Sequence, residues 1–169
     1  LKSIATVRSV GASTRIEGSR MSDEEVELLL KDVDITKIED RDSQEVVGYF
    51  EALDLISESY SEIEITENSI KNLHRVLMKY SNKDDWHKGD YKKQSNTVEA
   101  SFPGGTRQII FKTTNPGFPT EIAMKHLVDW YNNDKQTHPL VKSALFAYDF
   151  VSIHPFQDGN GRLSRLIAT

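Results

Sequence analysis

The chain has 169 residues, 37% of them hydrophobic and 28% charged, which is the composition of one ordinary globular domain with a core of its own. It holds no cysteine, which excludes a disulfide framework and a thiolate metal site, and no apolar run approaches the roughly 18 residues of a bilayer span. A formal net charge of −5, with both signs interspersed, argues against a broad nucleic-acid surface but not against a nucleotide held by a few local Lys and Arg. No charged segment followed by an apolar one opens the chain, so no signal peptide and no membrane partner are expected, and a cytoplasmic location is. Residue 1 is Leu rather than Met, and Leu163 to Thr169 read as a helix only begun, so the chain reads as a fragment of a longer protein.

Helical spacing dominates the first half. Residues 2–18 suit a first helix with Ile4, Val7 and Val10 on one stripe, weakened at Gly11. Ser22 and Glu25 stand at capping-box spacing and open a short helix through about Lys31. Residues 32–43 are polar and acidic and read as a connection. A helix from about Gln44 to Tyr60 directs Val46, Val47, Phe50, Leu53 and Ile56 inward. Thr66 is placed as the next N-cap, with Ile65 and Ile70 as its staple, and that helix carries Leu73, Val76, Leu77 and Tyr80.

Residues 81–118 change character, being rich in Gly, Asn, Ser, Thr and Lys. There Pro103-Gly104-Gly105 marks a turn between two strand-like runs, Thr97–Phe102 and Arg107–Phe111, which predicts a β-hairpin. Helices resume at about Pro119–Asn132 and Pro139–Ile153. In the second of these, Pro139 suits the first turn, and Leu140, Ala144, Leu145, Tyr148 and Val151 are expected to face the core. His138 is placed to cap it, and His74, His87, His126 and His138 lack metal-ligand spacing. Neither a repeat nor a linker points to a second independent fold.

The segment His154-Pro155-Phe156-Gln157-Asp158-Gly159-Asn160-Gly161-Arg162-Leu163-Ser164-Arg165 stands apart. Pro155 forces the chain out of the preceding helix. Gly159 and Gly161 flank Asn160, a combination that tolerates tightly turned backbone and so exposes successive N–H groups as an anion nest. A helix starting near Asn160 adds its own N-terminal donors and positive dipole end. Arg162 and Arg165, three apart, share a helical face and suit phosphate oxygens. Asp158 offers a hard oxygen ligand for Mg²⁺, and His154 can take a proton near neutral pH. Phosphoryl or nucleotidyl transfer needs this set, since its catalysis is mainly positioning and charge stabilisation. The residues alone leave kinase, nucleotidyltransferase and hydrolase open.

This string resembles the signature of the Fic family, H-P-F-x-[D/E]-G-N-G-R-x-x-R, at every specified position. The resemblance is clear over residues 86–169 and weaker over 20–85. It implies an all-α, Fic-type helical domain with a small β-hairpin flap. It also implies transfer of AMP from ATP-Mg²⁺ to a hydroxyl side chain of a target protein. By resemblance, His154 is the catalytic base, Asp158 holds Mg²⁺, and Gly159, Asn160, Gly161 and Arg162 cradle phosphate. Arg165 would bind the γ-phosphate, Phe156 would anchor the loop, and the hairpin at about 97–111 would receive the target as an added strand. Gly89-Asp90-Tyr91-Lys92 resembles a G-x-Y-R stretch before the flap, but Lys92 stands where Arg is usual and is not counted among the site residues.

A second motif, Ser13-Thr14-Arg15-Ile16-Glu17-Gly18, resembles the family's inhibitory helix, [S/T]-x-x-x-E-[G/N]. By that resemblance Glu17 pairs with Arg165 and blocks the γ-phosphate position, so that residues 1–20 form an inhibitory helix and 21–169 the Fic domain. Two alternatives stay open: removal of AMP or another phosphate-group transfer on the same scaffold, and a non-catalytic protein-binding module using the flap edge. The target and the oligomeric state stay open as well, a homodimer among the options.

Overall fold

A computed structural model describes residues 2–31, 38–102 and 104–169, without the side chains of residues 2, 3 and 101. Four helices come first: α1 (Lys2–Ile16), α2 (Asp23–Lys31), α3 (Arg41–Ser59) and α4 (Glu67–Leu77). A 3₁₀ turn at Asn82–Asp84 precedes an antiparallel hairpin of β1 (Thr97–Ser101) and β2 (Arg107–Lys112). Three further helices follow: α5 (Phe118–Asn133), α6 (Pro139–Ile153) and α7 (Asn160–Ile167). The fold is thus helical with one small hairpin.

Local chemistry starts the helices where the sequence places them. The Ser22 hydroxyl accepts from Glu25 N at 3.2 Å while the Glu25 carboxylate accepts from Ser22 N at 2.8 Å, a complete capping box for α2. Asp40 caps α3 through Ser43 N, and Thr66 caps α4 through Ser69 N. His138 caps α6 by accepting from Leu140 N at 3.3 Å. The α3–α4 crossing is close enough that a Cβ on Gly48 would collide with the Leu77 carbonyl, so the small residue is required by contact.

α7 is the hub, packing against α1, α3, α4 and α6. Its Leu163 and Leu166 are fully buried beside Val10, Val46, Ile70 and Phe150. Because the motif turn leads into this hub helix, its backbone is anchored by the main core rather than by a peripheral loop.

Several expectations need correction. α6 does not present Leu140, Ala144, Leu145 and Tyr148 to the core: Leu140 is 76% exposed and Tyr148 72%, while Phe146 and Phe150 are buried. The helix reads PLVKSALFAYDFVSI, apolar almost all round, so periodicity selects no face, and the two aromatics four apart bury the larger area. Val151, on the expected face, is half-buried. Ile4, expected on the inward stripe of α1, is exposed, whereas Val10 is buried. α1 ends at Ile16, so Glu17 lies in the turn beyond it rather than within a helix reaching residue 18. Of the connection expected at 32–43, residues 32–37 lie outside the described residues, as does Pro103, and Arg41 to Ser43 already belong to α3.

Candidate active site

α6 ends on the histidine that opens the motif. His154 is its C-cap, with φ 54° and ψ 59°, and it has the one positive φ among described non-glycine residues. A left-handed conformation costs an ordinary side chain about 1–2 kcal/mol, so the surroundings must hold it. Its N–H still reaches back to Phe150 O at 2.9 Å, and Pro155 then carries the chain away. The imidazole Nδ1 lies 3.1 Å from Val151 O, an acceptor only, so Nδ1 carries the proton and Nε2 keeps a free lone pair. Burial pushes the His154 pKa below its ordinary value, and the Lys92 charge adds to this, against the Val151 carbonyl and the Glu17 and Asp158 carboxylates. The ring is therefore neutral at pH 7, the form a base requires.

The turn after His154 is braced from inside. Phe156 is fully buried and stacks on His74 at 3.9 Å between ring centroids. The Asn160 side chain turns inward, accepting from Phe156 N at 2.9 Å and donating to Phe156 O at 2.8 Å. It closes the loop on itself and keeps no side-chain group for solvent. His74, also fully buried, receives Gly89 N–H on Nδ1 at 2.8 Å and so donates Nε2–H to Asp158 O at 3.0 Å. Burial lowers the His74 pKa to about 4, consistent with this fixed neutral tautomer.

Gly159 adopts the left-handed conformation, φ 79°, as N-cap of α7, and no side chain caps the helix. The first amides of α7 thus keep no side-chain cap and have the positive end of the helix dipole behind them. The Asp158 carboxylate accepts from Gly159 N at 2.6 Å and lies 3.5 Å from Arg162. Burial alone would raise the Asp158 pKa, but Arg162, the Gly159 amide, Lys83 and Arg41 outweigh it, and the carboxylate stays ionised well into acid. Its side chain is 41% exposed, which suits Mg²⁺, a cation that takes one or two protein carboxylates and completes its shell with phosphates and water. Among the described residues, no group of three or more His, Asp or Glu gathers to form an all-protein metal cage.

The two arginines differ. Arg162 is buried, 3.6 Å from Glu45, which in turn accepts from Arg41 at 2.7 Å. Arg165 is one third exposed and points at α1: its Nε donates to Ser13 Oγ at 2.8 Å, and its Nη2 to Ser13 O at 3.0 Å and Glu17 Oε1 at 2.8 Å. The Glu17 carboxylate sits over the start of α7, so close to Gly161 that a Cβ there would clash with it. Residues from the two ends of the chain, 152 positions apart for Ser13 and Arg165, thus meet over the turn that starts α7.

The structure brings His154, Asp158, Gly159, Gly161, Arg162, Arg165 and Glu17 together at one mouth. It also brings in Lys92 and Asn96, which sequence reasoning set aside or passed over. The Lys92 charge acts on His154, and Lys92 N donates to Pro155 O at 2.8 Å. The signal was present in Gly89-Asp90-Tyr91-Lys92, and the departure from Arg hid it. The hairpin stands beyond, with Ile109 and Ile110 both exposed on β2 and the register shifting between Val98 and Glu99 so that Ile110 is left unpaired in a bulge.

Residues 64–169 match the Fic/DOC family. Protein adenylyltransferases Fic of Drosophila erecta and Drosophila willistoni are 31% and 30% identical to the chain over 161 residues, covering 92% of it. The chain spans 29–30% of the length of these relatives. Among solved structures, a Fic family protein from Desulfovibrio desulfuricans superposes with a TM-score of 0.78 at 28% identity, covering 98% of this chain and 47% of that one. A Fic domain containing signaling protein from Bacteroides thetaiotaomicron gives 0.72 at 30% identity, covering 92% and 57%. With the family matched across more than half of its residues and the fold shared over nearly all of them, the chain belongs to the Fic/DOC family.

Proposed function

We propose that the chain transfers AMP from ATP to a hydroxyl side chain of a target protein, with His154 as general base. The observation that carries this reading is the His154 tautomer: Nδ1–H is committed to Val151 O, and Nε2 is left unprotonated beside an uncapped helix N-terminus. The adenylyltransferase names of the relatives support it. In the proposed reaction the target hydroxyl oxygen attacks the α-phosphorus, and its proton passes to His154 Nε2. The bond from the α-phosphorus to the bridging oxygen breaks, and pyrophosphate leaves with the electron pair. The amides at Gly159 to Gly161 and the Arg162 guanidinium would hold the phosphates, with Asn160 shaping the turn from within. Mg²⁺, held by Asp158, would supply charge neutralisation at the phosphates. Incubation with α-labelled and γ-labelled ATP tests this: transfer of the α-label supports it, and transfer of the γ-label alone refutes it.

The resting state would be repressed. Glu17 occupies Arg165, and a carboxylate over the anion turn repels phosphate. In the proposal, residues 1–20 act as the inhibitory segment of the domain formed by 21–169, the target lies along the hairpin, and the reaction takes place in the cytoplasm. A second reading, removal of AMP from a modified protein, is favoured by one observation: the Glu17 carboxylate is close enough to act on His154 electrostatically, and in that reading it would orient the water. A modified substrate that loses AMP to the parent and keeps it with a Glu17 variant would establish that reading.

A further inference from the structure

We propose that Lys92 is a positioning residue that locks the base of the hairpin to the turn carrying His154, so that the target platform and the general base are held in one register. The inference rests on reading His154 as the base and the hairpin as the platform. Lys92 is 1% exposed, and its ammonium has three protons to place. Each finds an oxygen: Asn96 Oδ1 at 2.9 Å, Thr113 Oγ1 at 2.8 Å and Ile153 O at 3.0 Å. Asn96 immediately precedes β1 and Thr113 immediately follows β2, so two of the three partners are the feet of the hairpin. The Thr113 hydroxyl donates to Asn96 O at 2.9 Å and closes those feet together.

The other side of the lock is the catalytic turn. Lys92 Nζ takes Ile153 O, Lys92 N takes Pro155 O at 2.8 Å, and Asn96 Nδ2 takes Phe156 O at 3.0 Å. The carbonyl before His154 and the two after it are thus all pinned by one five-residue segment, 92–96. His154 between them is the residue forced into the left-handed region. Burial brings the Lys92 pKa down only to about 8, so the ammonium with its three donors persists at neutral pH. Three separate acceptors at one point suit an ammonium better than a planar guanidinium fork, which accounts for Lys at a position where the family pattern has Arg. An inert buried lysine would fill the same space, but its loss would leave the hairpin and His154 unchanged relative to the rest of the fold.

The test uses the full chain as parent, Lys92→Met and Thr113→Val. Hydrogen exchange is read over residues 97–101 and 107–112 and over α3, and the His154 imidazole is titrated by NMR. In Lys92→Met the hairpin amides exchange about tenfold faster or more, because bonds to a charged donor are lost, while α3 keeps its parental rates. The His154 midpoint rises, since the charges left facing the ring are the Glu17 and Asp158 carboxylates, and both favour its protonated form. Thr113→Val removes one acceptor together with the hydroxyl's own bond to Asn96 O, shifts the same amides and the His154 midpoint by a smaller amount, and through that midpoint decides the matter if Lys92→Met does not fold. Parental hairpin exchange or a parental His154 midpoint in Thr113→Val overturns the proposal, as does acceleration shared equally with α3. With α-labelled ATP and Glu17→Ala as the background, Lys92→Met lowers kcat while KM for ATP stays within about twofold. If exchange and titration move as expected but Glu17→Ala, freed of the proposed repression, transfers no α-label, the lock stands and the AMP-transfer reading falls.

Discussion

Replacing Glu17 by Ala tests the proposed repression. Its pairing with Arg165 is 2.8 Å long, with both side chains about one third exposed, which puts its contribution to stability at about 0.2–1 kcal/mol. Arg165 keeps both bonds to Ser13, so α1 stays docked, and Tm falls by no more than about 4 °C for a chain of this size. The effect on ATP is larger. A carboxylate about 5 Å from a phosphate charge, at an effective dielectric of about 20, opposes binding by about 3 kcal/mol, which is about 10²-fold in affinity. Glu17→Ala is therefore expected to bind ATP-Mg²⁺ about 10²-fold more tightly and to accumulate self-attached AMP that the parent does not. Because Glu17 lies beyond the end of α1, Glu17→Gly carries little helix penalty and should behave alike. Calorimetry gives the affinity and intact-protein mass gives the incorporation. If both variants fold by circular dichroism and neither binds ATP more tightly nor gains mass, the inhibitory reading is wrong. Combining either with Arg165→Ala should abolish the gain.

His154→Ala should keep nucleotide binding and lower α-label transfer by about 10²–10⁴-fold, the span of a general base, and undiminished transfer would remove His154 from that role. Asp158→Ala should abolish the Mg²⁺ dependence of transfer, and an unchanged Mg²⁺ titration of activity would refute it. Burial holds His154 below its ordinary pKa of 6.5, and for a general base the neutral ring would be the active form. The rate should thus persist as pH falls through 6.5 and drop only at the lower value; an acid limb at or above 6.5 would contradict this. Phe156→Ala should cost about 3–5 kcal/mol by denaturant unfolding, because it opens a cavity against His74, Tyr91 and Phe150; a loss under about 1 kcal/mol would mean that the turn is not anchored by this ring.

Where one residue type settles a position, the sequence was a sufficient guide. Caps at Ser22, Thr66 and His138 and the limits of α6 follow from side-chain chemistry within a few residues, and the structure keeps them. The hairpin follows from Gly104-Gly105 between β-prone runs, both glycines having positive φ. The inward face of α6 was not legible, because an almost wholly apolar helix carries no phase, and only the neighbours of Phe146 and Phe150 choose it. His74 and Lys92 were not legible for another reason. Their most distant partners lie 84 and 61 positions away in sequence, and nothing local distinguishes a buried, fully bonded His or Lys from a solvated one.

That division also explains why the motif is so dense. Of its twelve residues, seven are buried: Pro155, Phe156, Gly159, Asn160, Arg162, Leu163 and Ser164. Phe156 and Asn160 hold the turn in shape, Leu163 joins the core, and Ser164 Oγ bonds Ala147 O at 3.2 Å across to α6. The groups left for a nucleotide are a carboxylate, an imidazole nitrogen, the first amides of α7 and the guanidinium edges. A phosphate site of this kind catalyses by placement, and placement to a fraction of an ångström cannot be bought from exposed side chains, which retain rotamer freedom. It has to come from residues that face the core and fix the backbone from behind. On this argument the sensitivity of transfer to substitution should not follow proximity to ATP. Asn160→Ala, which removes both braces on Phe156, should lower kcat as severely as Arg162→Ala while changing KM for ATP less, although its side chain meets no phosphate. Steady-state kinetics on the two variants decide it. A rise in KM with kcat unchanged in Asn160→Ala would assign the side chain to direct ligand contact instead.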